Sequence, residues 1–221
     1  MISAVITAAG NCTRFGREKL FSRIGGEPVF VKTVRQFLKV KEVGEVILVV
    51  RKDNRKRFES WIKKLNLKVK LVEGGMERCE SAEKGVRVSK GEYVLIHDGA
   101  RPLVTTKLIE KVVKVVKKHG AVMAAVATTT CVKLVDPKTM EVVECLDRPK
   151  SWLGQTPQAF KREVILKAYR LAREGKIEGL DDCELVRKLG VKVKVIEGEW
   201  TNKKITMPTD LEIVRKWSQY V

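Results

Sequence analysis

The run ISAVITAAG, residues 2–10, decides the fold. It is a short apolar stretch that ends in a glycine at the start of a polar loop. Four more apolar runs follow it: EVILVV (45–50), VKLVE (69–73), YVLIH (93–97) and AVMAAVA (121–127). Continuous Val, Ile and Leu runs that alternate with amphipathic segments are typical of a parallel sheet covered on both faces. The sequence therefore predicts a doubly wound, mostly parallel α/β sheet.

Helical periodicity marks the segments between these runs. Helices are expected at 28–40, 54–65 and 77–89, and Thr105 or Thr106 can cap the next one. After the fifth run, the pattern predicts helices near 161–174 and 181–189, a strand at 191–197 and a helix from about Pro208. No internal repeat interrupts this order, so a single domain over residues 1–221 is expected.

The pattern changes between Thr128 and Trp152. The stretch VKLVDPKTMEVVECL has two alternating segments around Asp136-Pro137-Lys138, which predicts a β-hairpin. A two-stranded ribbon without a core of its own is marginal in water. We therefore expect this arm, at about 129–150, to pack on a partner.

Composition narrows the class of protein. The 221 residues are 44% hydrophobic, which fits a folded globular chain with a real core. No apolar run approaches 18 residues and no signal peptide is recognisable, so a cytoplasmic protein with no membrane partner is expected. The cysteines are scattered without a CxxC pair, so free thiols are expected rather than a zinc site: Cys12, Cys79, Cys131, Cys145 and Cys183.

The net charge of +18 raises nucleic acid as a partner. However, lysines such as Lys107, Lys111, Lys114 and Lys118 recur at helical spacing, as on the solvated face of an amphipathic helix. Only 6% of the residues are aromatic, and no basic stretch interleaves aromatic side chains for base stacking. A small anionic substrate explains the sign of the charge equally well, and we expect no nucleic-acid partner.

In a doubly wound sheet, ligands bind at the carboxyl ends of the strands. This rule selects residues 8–19, 73–81 and 97–102. The first segment, AAGNCTRFGREK, is neither a Walker loop nor a dinucleotide fingerprint, because the required glycines and GK[ST] order are missing. Its backbone and its cations Arg14 and Lys19 suit a polyphosphate, although spacing alone is equally compatible with ordinary surface charges.

Asp98 ends the fourth run, in the segment IHDGARP. A carboxylate at this edge commonly binds a metal or ribose hydroxyls, and a structural turn before glycine is the competing interpretation. No nucleophile signature accompanies His97, so a packed or turn residue is favoured over a catalytic one. Two further polar clusters, at 155–158 and 202–206, lie beside prolines and could be plain loops.

Taken together, the motifs resemble a known family. They occur in order along almost the whole chain: AAGxxxRF and a lysine, GGMERCES (74–81), HDGARP (97–102), Asp147-Arg148, QTPQ (155–158), LDD (180–182) and NKKIT (202–206) with PTDL (208–211). This set closely resembles the 2-C-methyl-D-erythritol 4-phosphate cytidylyltransferases of the non-mevalonate isoprenoid pathway. The resemblance implies a Rossmann-like nucleotidyltransferase fold and the transfer of CMP from CTP to that alcohol phosphate, with Mg²⁺ as cofactor.

The resemblance also implies roles for individual residues. The backbone of Ala8, Ala9 and Gly10 would cradle the cytidine together with Gly74 and Ser81. Arg14 and Lys19 would bind the triphosphate and stabilise charge at the α-phosphorus. The remaining polar residues divide between the metal region and the alcohol phosphate: Asp98 at the nucleotide and Mg²⁺ with Arg101 nearby, and Arg148, Thr156 and Lys204 on the methylerythritol phosphate.

In this family the hairpin arm embraces a second subunit, which implies a homodimer in which Arg148 serves the neighbour's site. The sequence departs from the family pattern in a loop that is shorter between Arg14 and Lys19, and at two residues. Cys12 stands where a glycine is usual, and Leu180 replaces the threonine that usually precedes the acidic pair. Because that threonine contributes to the alcohol-phosphate site, a cytidylyltransferase for ribitol 5-phosphate or another alcohol phosphate is the alternative.

Overall fold

A computed structural model describes residues 1–10, 15 and 18–220 of the chain. Its strands within these ranges are β1 (Ile2–Ala8), β2 (Arg23–Ile24), β3 (Glu27–Pro28), β4 (Val43–Val50), β5 (Lys70–Glu73), β6 (Tyr93–Asp98), β7 (Ala121–Ala127), β8 (Lys133–Val135), β9 (Val142–Cys145), β10 (Trp152–Lys161) and β11 (Lys194–Glu197).

The α-helices of the described residues alternate with these strands. They are α1 (Val29–Leu38), α2 (Arg55–Lys64), α3 (Arg78–Val88), α4 (Thr106–His119), α5 (Arg162–Arg173), α6 (Asp182–Lys188) and α7 (Pro208–Trp217). Thr105 is the N-cap of α4, and its hydroxyl oxygen accepts a hydrogen bond from the main-chain N–H of Leu108 at 3.1 Å. None of these helices is both long and apolar enough to cross a membrane.

Seven strands form the central sheet, in the order β11-β7-β10-β6-β1-β4-β5. The pairs β6–β1, β1–β4, β4–β5 and β7–β11 are parallel. Strand β10 is antiparallel to both of its neighbours, β6 and β7. The predicted α/β class with a mostly parallel sheet is therefore confirmed.

Strand β10 is the element that hydrophobic patterning missed. It contains Pro157 and the polar side chains of Gln155, Thr156 and Gln158, which suggested a loop. The ladder with β7 is irregular between Gly154 and Gln158, and this irregularity accommodates a residue that has no N–H to donate. The three polar side chains are buried, so they hydrogen-bond to neighbouring segments instead of packing as a core.

Apolar cores lie on both faces of the sheet. One face packs against α1, α2, α4 and α7, and the other packs against α3, α5 and α6. Helix α3 packs tightly on the sheet at Gly85, where an added Cβ would come 2.4 Å from a methyl carbon of Val5. This close contact fixes the start of α3, and with it Arg78 and Ser81, beside the end of β1.

Three aromatic rings support the segment that carries Lys19. Phe21 ends the short 3₁₀ turn Lys19–Phe21, and its ring centroid lies 5.6 Å from that of Phe30 and 4.6 Å from that of Phe58. The rings of Phe30 and Phe58 are in turn 4.7 Å apart. The cluster therefore connects Lys19 to α1 and α2.

The predicted hairpin is present as a separate two-stranded sheet of β8 and β9. All residues of the two strands are exposed, including the apolar side chains of Leu134, Val135, Val142 and Val143. Residues 129–150 therefore form an arm with no core of its own.

Replacement of Phe58 by alanine should destabilise the protein, because it removes a fully buried ring from the cluster that supports Lys19. We expect a loss of about 3–5 kcal/mol in the free energy of unfolding, measured with urea. Ile213→Ala is the control: Ile213 is 37% exposed on α7, and its truncation should cost much less. Equal losses for the two variants would contradict the packing described here.

Candidate active site

A cavity of about 270 Å³ opens at the carboxyl ends of β1 and β6. It is lined by main-chain and side-chain groups from five segments: Thr7, Ala8, Ala9, Gly10, Phe15, Lys19, Leu20, Met76, Glu77, Arg78, Ser81, Asp98, Ala100, Lys204 and Thr206. The sequence rule on strand ends thus located the cavity, and it brings together Ala8, Ala9, Gly10, Lys19, Ser81, Asp98 and Lys204 from the predicted set.

One wall of the cavity is a backbone cradle formed by two loops. An added Cβ at Gly74 would come 2.5 Å from the Cβ of Ala9 and 2.7 Å from Ser81 Oγ, so only glycine fits between them. The N–H of Gly75 donates to Ser81 Oγ at 3.1 Å. The loop after β5 is therefore fixed against the loop after β1, with Gly74 as the contact point and not as a lining residue of the main cavity.

The floor of the cavity is the carboxylate of Asp98, which three cations contact. Arg78 Nε lies 3.3 Å from Oδ1. Arg101 Nε and Lys204 Nζ both lie 3.1 Å from Oδ2. The carboxylate is almost completely buried, whereas about a third of the Lys204 and Arg78 side chains is exposed toward the cavity.

This cluster has an excess of positive charge. Burial alone would raise the pKa of Asp98. The three cations outweigh that effect, Lys204 most strongly, and hold the pKa of the carboxyl well below its ordinary value. Asp98 is therefore ionised at neutral pH, and one negative charge orients three positive ones around the cavity.

Arg78 connects Asp98 to a second buried carboxylate. Its Nη1 lies 2.8 Å from Asp182 Oδ2, and the hydroxyl of Tyr169 donates to Asp182 Oδ1 at 2.7 Å. Burial lowers the pKa of the Arg78 guanidinium, but Asp182 and Asp98 more than offset this and raise it. Arg78 and Asp182 belong to two of the sequence motifs, but no role was predicted for either residue. Their pairing depends on the fold, since the two residues are far apart in sequence.

The turn after β6 holds Asp98 and Arg101 through its main chain. The N–H of Arg101 donates to the carbonyl of Asp98 at 3.0 Å, and that of Gly99 donates to the carbonyl of Thr7 at 2.9 Å. The carbonyl of Gly99 accepts from the hydroxyl of Thr33, and that of Ala100 accepts from the N–H of Ile205, both at 2.9 Å.

His97 and Thr156 lie behind this turn, and both are buried. His97 Nε2 is 3.2 Å from the carbonyl oxygen of Arg101, and His97 Nδ1 is 3.0 Å from Thr156 Oγ1. The N–H of Asp98 donates to the same Thr156 oxygen at 3.1 Å. Burial lowers the pKa of His97 to about 3, against the opposing effect of Asp98. The packed histidine expected from the sequence agrees with this environment.

The NKKIT segment is attached to β10 by amide hydrogen bonds. Asn202 Nδ2 donates to the carbonyl of Thr156 at 2.8 Å, and Gln155 Nε2 donates to the carbonyl of Glu199 at 2.8 Å. The guanidinium of Arg101 donates to the carbonyl of Asn202 at 2.8 Å. These bonds place Lys204 at Asp98, so the two polar clusters that could have been plain loops are connected parts of the site.

The LDD segment lies at the start of α6. Asp181 is the N-cap, and its carboxylate accepts from the N–H of Glu184 and from Gln158 Nε2, both at 2.8 Å. Leu180, directly before the cap, is 97% exposed. Its side chain therefore lies in solvent at the position where the family pattern has a threonine.

Several predicted residues are not lining groups of the cavity. Arg101 and Thr156 lie behind Asp98, and their predicted contacts with substrate stay predictions. Arg148 is exposed at the base of the arm, in the 3₁₀ turn Arg148–Lys150. Arg14 and Cys12 fall outside the residues that the structure describes, so the proposed role of Arg14 also stays a prediction.

The described side chains of the cavity supply few ligands for a metal ion. Among the described residues no group of three or more His, Cys, Asp or Glu side chains could hold one. Both oxygens of Asp98 already have cationic partners. The donor set fits Mg²⁺ that is held mainly by substrate phosphates with one carboxylate at most, which is the usual arrangement for this ion.

Comparison with known proteins identifies the family. A family model described as 2-C-methyl-D-erythritol 4-phosphate cytidylyltransferase matches residues 2–217. A protein of that name from Dictyoglomus thermophilum is 40% identical over 215 residues, which cover 95% of this chain and 93% of the relative. Its counterpart from Aquifex aeolicus is 38% identical over 216 residues, which cover 98% and 97%.

Solved structures agree with the sequence matches. The 4-diphosphocytidyl-2C-methyl-D-erythritol synthase of Anaerococcus prevotii is 32% identical, with a TM-score of 0.88 over 99% of this chain and 96% of its own. The 2-C-methyl-D-erythritol 4-phosphate cytidylyltransferase of Thermus thermophilus is 28% identical, with a TM-score of 0.79 over 98% of both chains. Since sequence, fold and strand-end cavity agree along nearly the full length, this chain belongs to the 2-C-methyl-D-erythritol 4-phosphate cytidylyltransferase family.

Proposed function

We propose that this chain transfers CMP from CTP to 2-C-methyl-D-erythritol 4-phosphate, giving 4-diphosphocytidyl-2-C-methyl-D-erythritol and pyrophosphate. The observation that carries the proposal is the cavity that Lys19 and Lys204 line together with residues 8–10 and Ser81. The cationic side chains suit phosphates, and the close-packed main chain suits a nucleoside. Membership of the family then selects the two substrates.

The reaction needs charge neutralisation more than proton transfer. A phosphate oxygen of the alcohol phosphate attacks the α-phosphorus of CTP, and the bond from that phosphorus to the β-phosphate oxygen breaks as pyrophosphate leaves. The nucleophile is already an anion, so no general base is required. What the protein must supply is the alignment of several anions and stabilisation of charge on the leaving group.

We assign the cationic residues to the triphosphate or to the alcohol phosphate by their positions. Lys19, near the loop after β1, is placed for the triphosphate, together with Arg14 as implied by the family pattern. Lys204 lines the cavity and is proposed to bind the phosphate of the alcohol, whereas Arg101 lies behind Asp98 and shares Oδ2 of that carboxylate with Lys204. Because Asp98 holds the cations before substrate arrives, little reorganisation is required on binding.

Mg²⁺ is proposed to enter with the triphosphate, with Asp98 as its one candidate protein ligand. Bound there, the ion would neutralise charge on the phosphate oxygens as pyrophosphate departs. An ion at Asp98 would share the carboxylate with Arg78 on Oδ1 or with Arg101 and Lys204 on Oδ2.

The arm supports the proposal of a homodimer. Its apolar side chains are exposed on both strands, with Val142 at 60% and Val143 at 69%, and a ribbon of this kind is marginal without a partner. A second copy of the chain is the proposed partner, with Arg148 at the base of the arm reaching the neighbour's site. A cytoplasmic location is also proposed, since the four cysteines that the structure describes are free thiols.

The substrate assignment is tested by pyrophosphate release from CTP with Mg²⁺. With 2-C-methyl-D-erythritol 4-phosphate we expect turnover, and with ribitol 5-phosphate much less. Leu180 keeps the rival substrate open, because an exposed leucine stands where the family pattern has a threonine that contributes to the alcohol-phosphate site. A higher kcat/KM with ribitol 5-phosphate would reverse the assignment, and turnover with neither would refute both.

Lys19→Ala should lower kcat by about 10²–10³, as expected for loss of one well-placed charge at a transition state. The fold should be little affected, since Lys19 is partly exposed. Lys114→Ala on the exposed face of α4 removes the same charge away from the cavity and should leave turnover unchanged. Near-full activity of Lys19→Ala would remove this lysine from the triphosphate site.

Arg148→Ala and Lys19→Ala subunits, each with little activity, should complement one another when mixed. If Arg148 acts in the neighbouring subunit, a mixed dimer has one intact site, so random exchange restores about a quarter of the native activity. Native mass spectrometry of the mixture checks that mixed dimers form. Mixed dimers without recovery would place the action of Arg148 within its own chain.

A further inference from the structure

The buried pair His97 and Thr156 has a proton arrangement that limits what Thr156 can do. Thr156 is 3% exposed and is absent from the lining of the cavity, although the family pattern assigns it to the alcohol phosphate. His97 is fully buried, and its ring centroid lies 4.9 Å from that of Phe37. The two side chains meet behind the Asp98–Arg101 turn.

The tautomer of His97 follows from its partners. The carbonyl oxygen of Arg101, 3.2 Å from Nε2, is an acceptor only, so Nε2 must carry the proton and donate. A fully buried imidazole whose nitrogens contact a carbonyl and a hydroxyl is neutral. Nδ1 is then a bare acceptor, 3.0 Å from the Thr156 hydroxyl.

The hydroxyl of Thr156 has one proton, and that proton goes to His97 Nδ1. Its oxygen accepts from the main-chain N–H of Asp98 at 3.1 Å. A substrate phosphate is mainly dianionic at neutral pH, since its second pKa is about 6, so its oxygens need a hydrogen-bond donor from the protein. While this arrangement holds, Thr156 has no proton left for a substrate phosphate.

We propose that Thr156 and His97 are positioning residues, which act on substrate through the main chain of Asp98 and Arg101 and not by direct contact. Thr156 fixes the N–H at the start of the turn, and His97 fixes the carbonyl at its end. The turn thereby keeps the carboxylate of Asp98 at the cavity, with the guanidinium of Arg101 against it. This inference rests on the proposed function for its effect on turnover, but its hydrogen-bond pattern can be tested without turnover.

Long-range ¹⁵N–¹H NMR of the imidazole rings tests that pattern in the native protein. The chain has two histidines, and His119 at the exposed end of α4 is the internal reference. We expect His97 as the Nε2–H tautomer at neutral pH, unchanged when CTP or the alcohol phosphate is added. An Nδ1–H tautomer, or a Nδ1 shift on addition of the alcohol phosphate that signals loss of its donor, would overturn the proposal.

Kinetics of a double-mutant cycle test the consequence. Thr156→Val keeps the shape and removes the hydroxyl, His97→Phe removes both ring contacts, and Thr156→Ser is the control that keeps the donor. Each disruptive variant should lower kcat/KM for the alcohol phosphate about tenfold, because each leaves a buried partner unsatisfied. Thr156→Ser should stay close to native.

The size of the coupling energy between Thr156 and His97 separates positioning from contact. If the two residues form one unit, Thr156→Val should add little to the loss already caused by His97→Phe. If Thr156 touches substrate itself, its replacement should raise KM by the same factor with or without His97, and that additivity would overturn the proposal. Absence of turnover in the native protein refutes the proposed function alone, because the NMR result still decides the hydrogen-bond pattern.

Discussion

The ionised carboxylate of Asp98, buried among three cations, is the interaction on which the site depends. Arg78, Arg101 and Lys204 come from three different segments, and one negative charge holds them together. Removal of that charge would leave three cations with mutual repulsion and no shared partner. A binding site for polyanions needs such an excess of positive charge. When no ligand is bound, the clustered cations need a negative charge of the protein to stabilise them. Asp98 satisfies both requirements.

Much of the fold could be predicted because the central parallel strands β1, β4 and β6 are largely buried on both faces, which makes them continuous apolar runs. Strand β10 was not predicted from the hydropathy pattern, for the opposite reason. Its central residues are polar, and they serve the sheet by hydrogen bonds to the 199–202 turn, to α6 and to the Asp98 turn. A hydropathy pattern does not predict such hydrogen bonds. Polar side chains beside a proline look the same in a loop and in a buried strand.

The candidate site likewise has parts that could be predicted from the sequence and parts that could not. Asp98 and the loop after β1 were predictable, because strand ends in this topology converge on one edge. The pairing of Arg78 with Asp182 was not, since it links the first turns of α3 and α6 through a contact that only the packed fold creates. The position of Thr156 behind Asp98 could not be predicted from the sequence either. A motif shared with a family identifies a residue that matters, but it does not say whether the residue touches substrate or supports one that does.

The antiparallel insertion of β10 also bears on the order in which the chain can fold during synthesis. Strand β7 is complete at Ala127, yet its sheet neighbours are β10 and β11, which both come later in the chain. The strands β5, β4, β1 and β6 can pair as they emerge from the ribosome, whereas β7 must wait for residues up to Lys161. The whole arm is therefore made while one strand of the sheet still lacks a partner, which exposes an apolar edge at the stage when a nascent chain is most prone to aggregate.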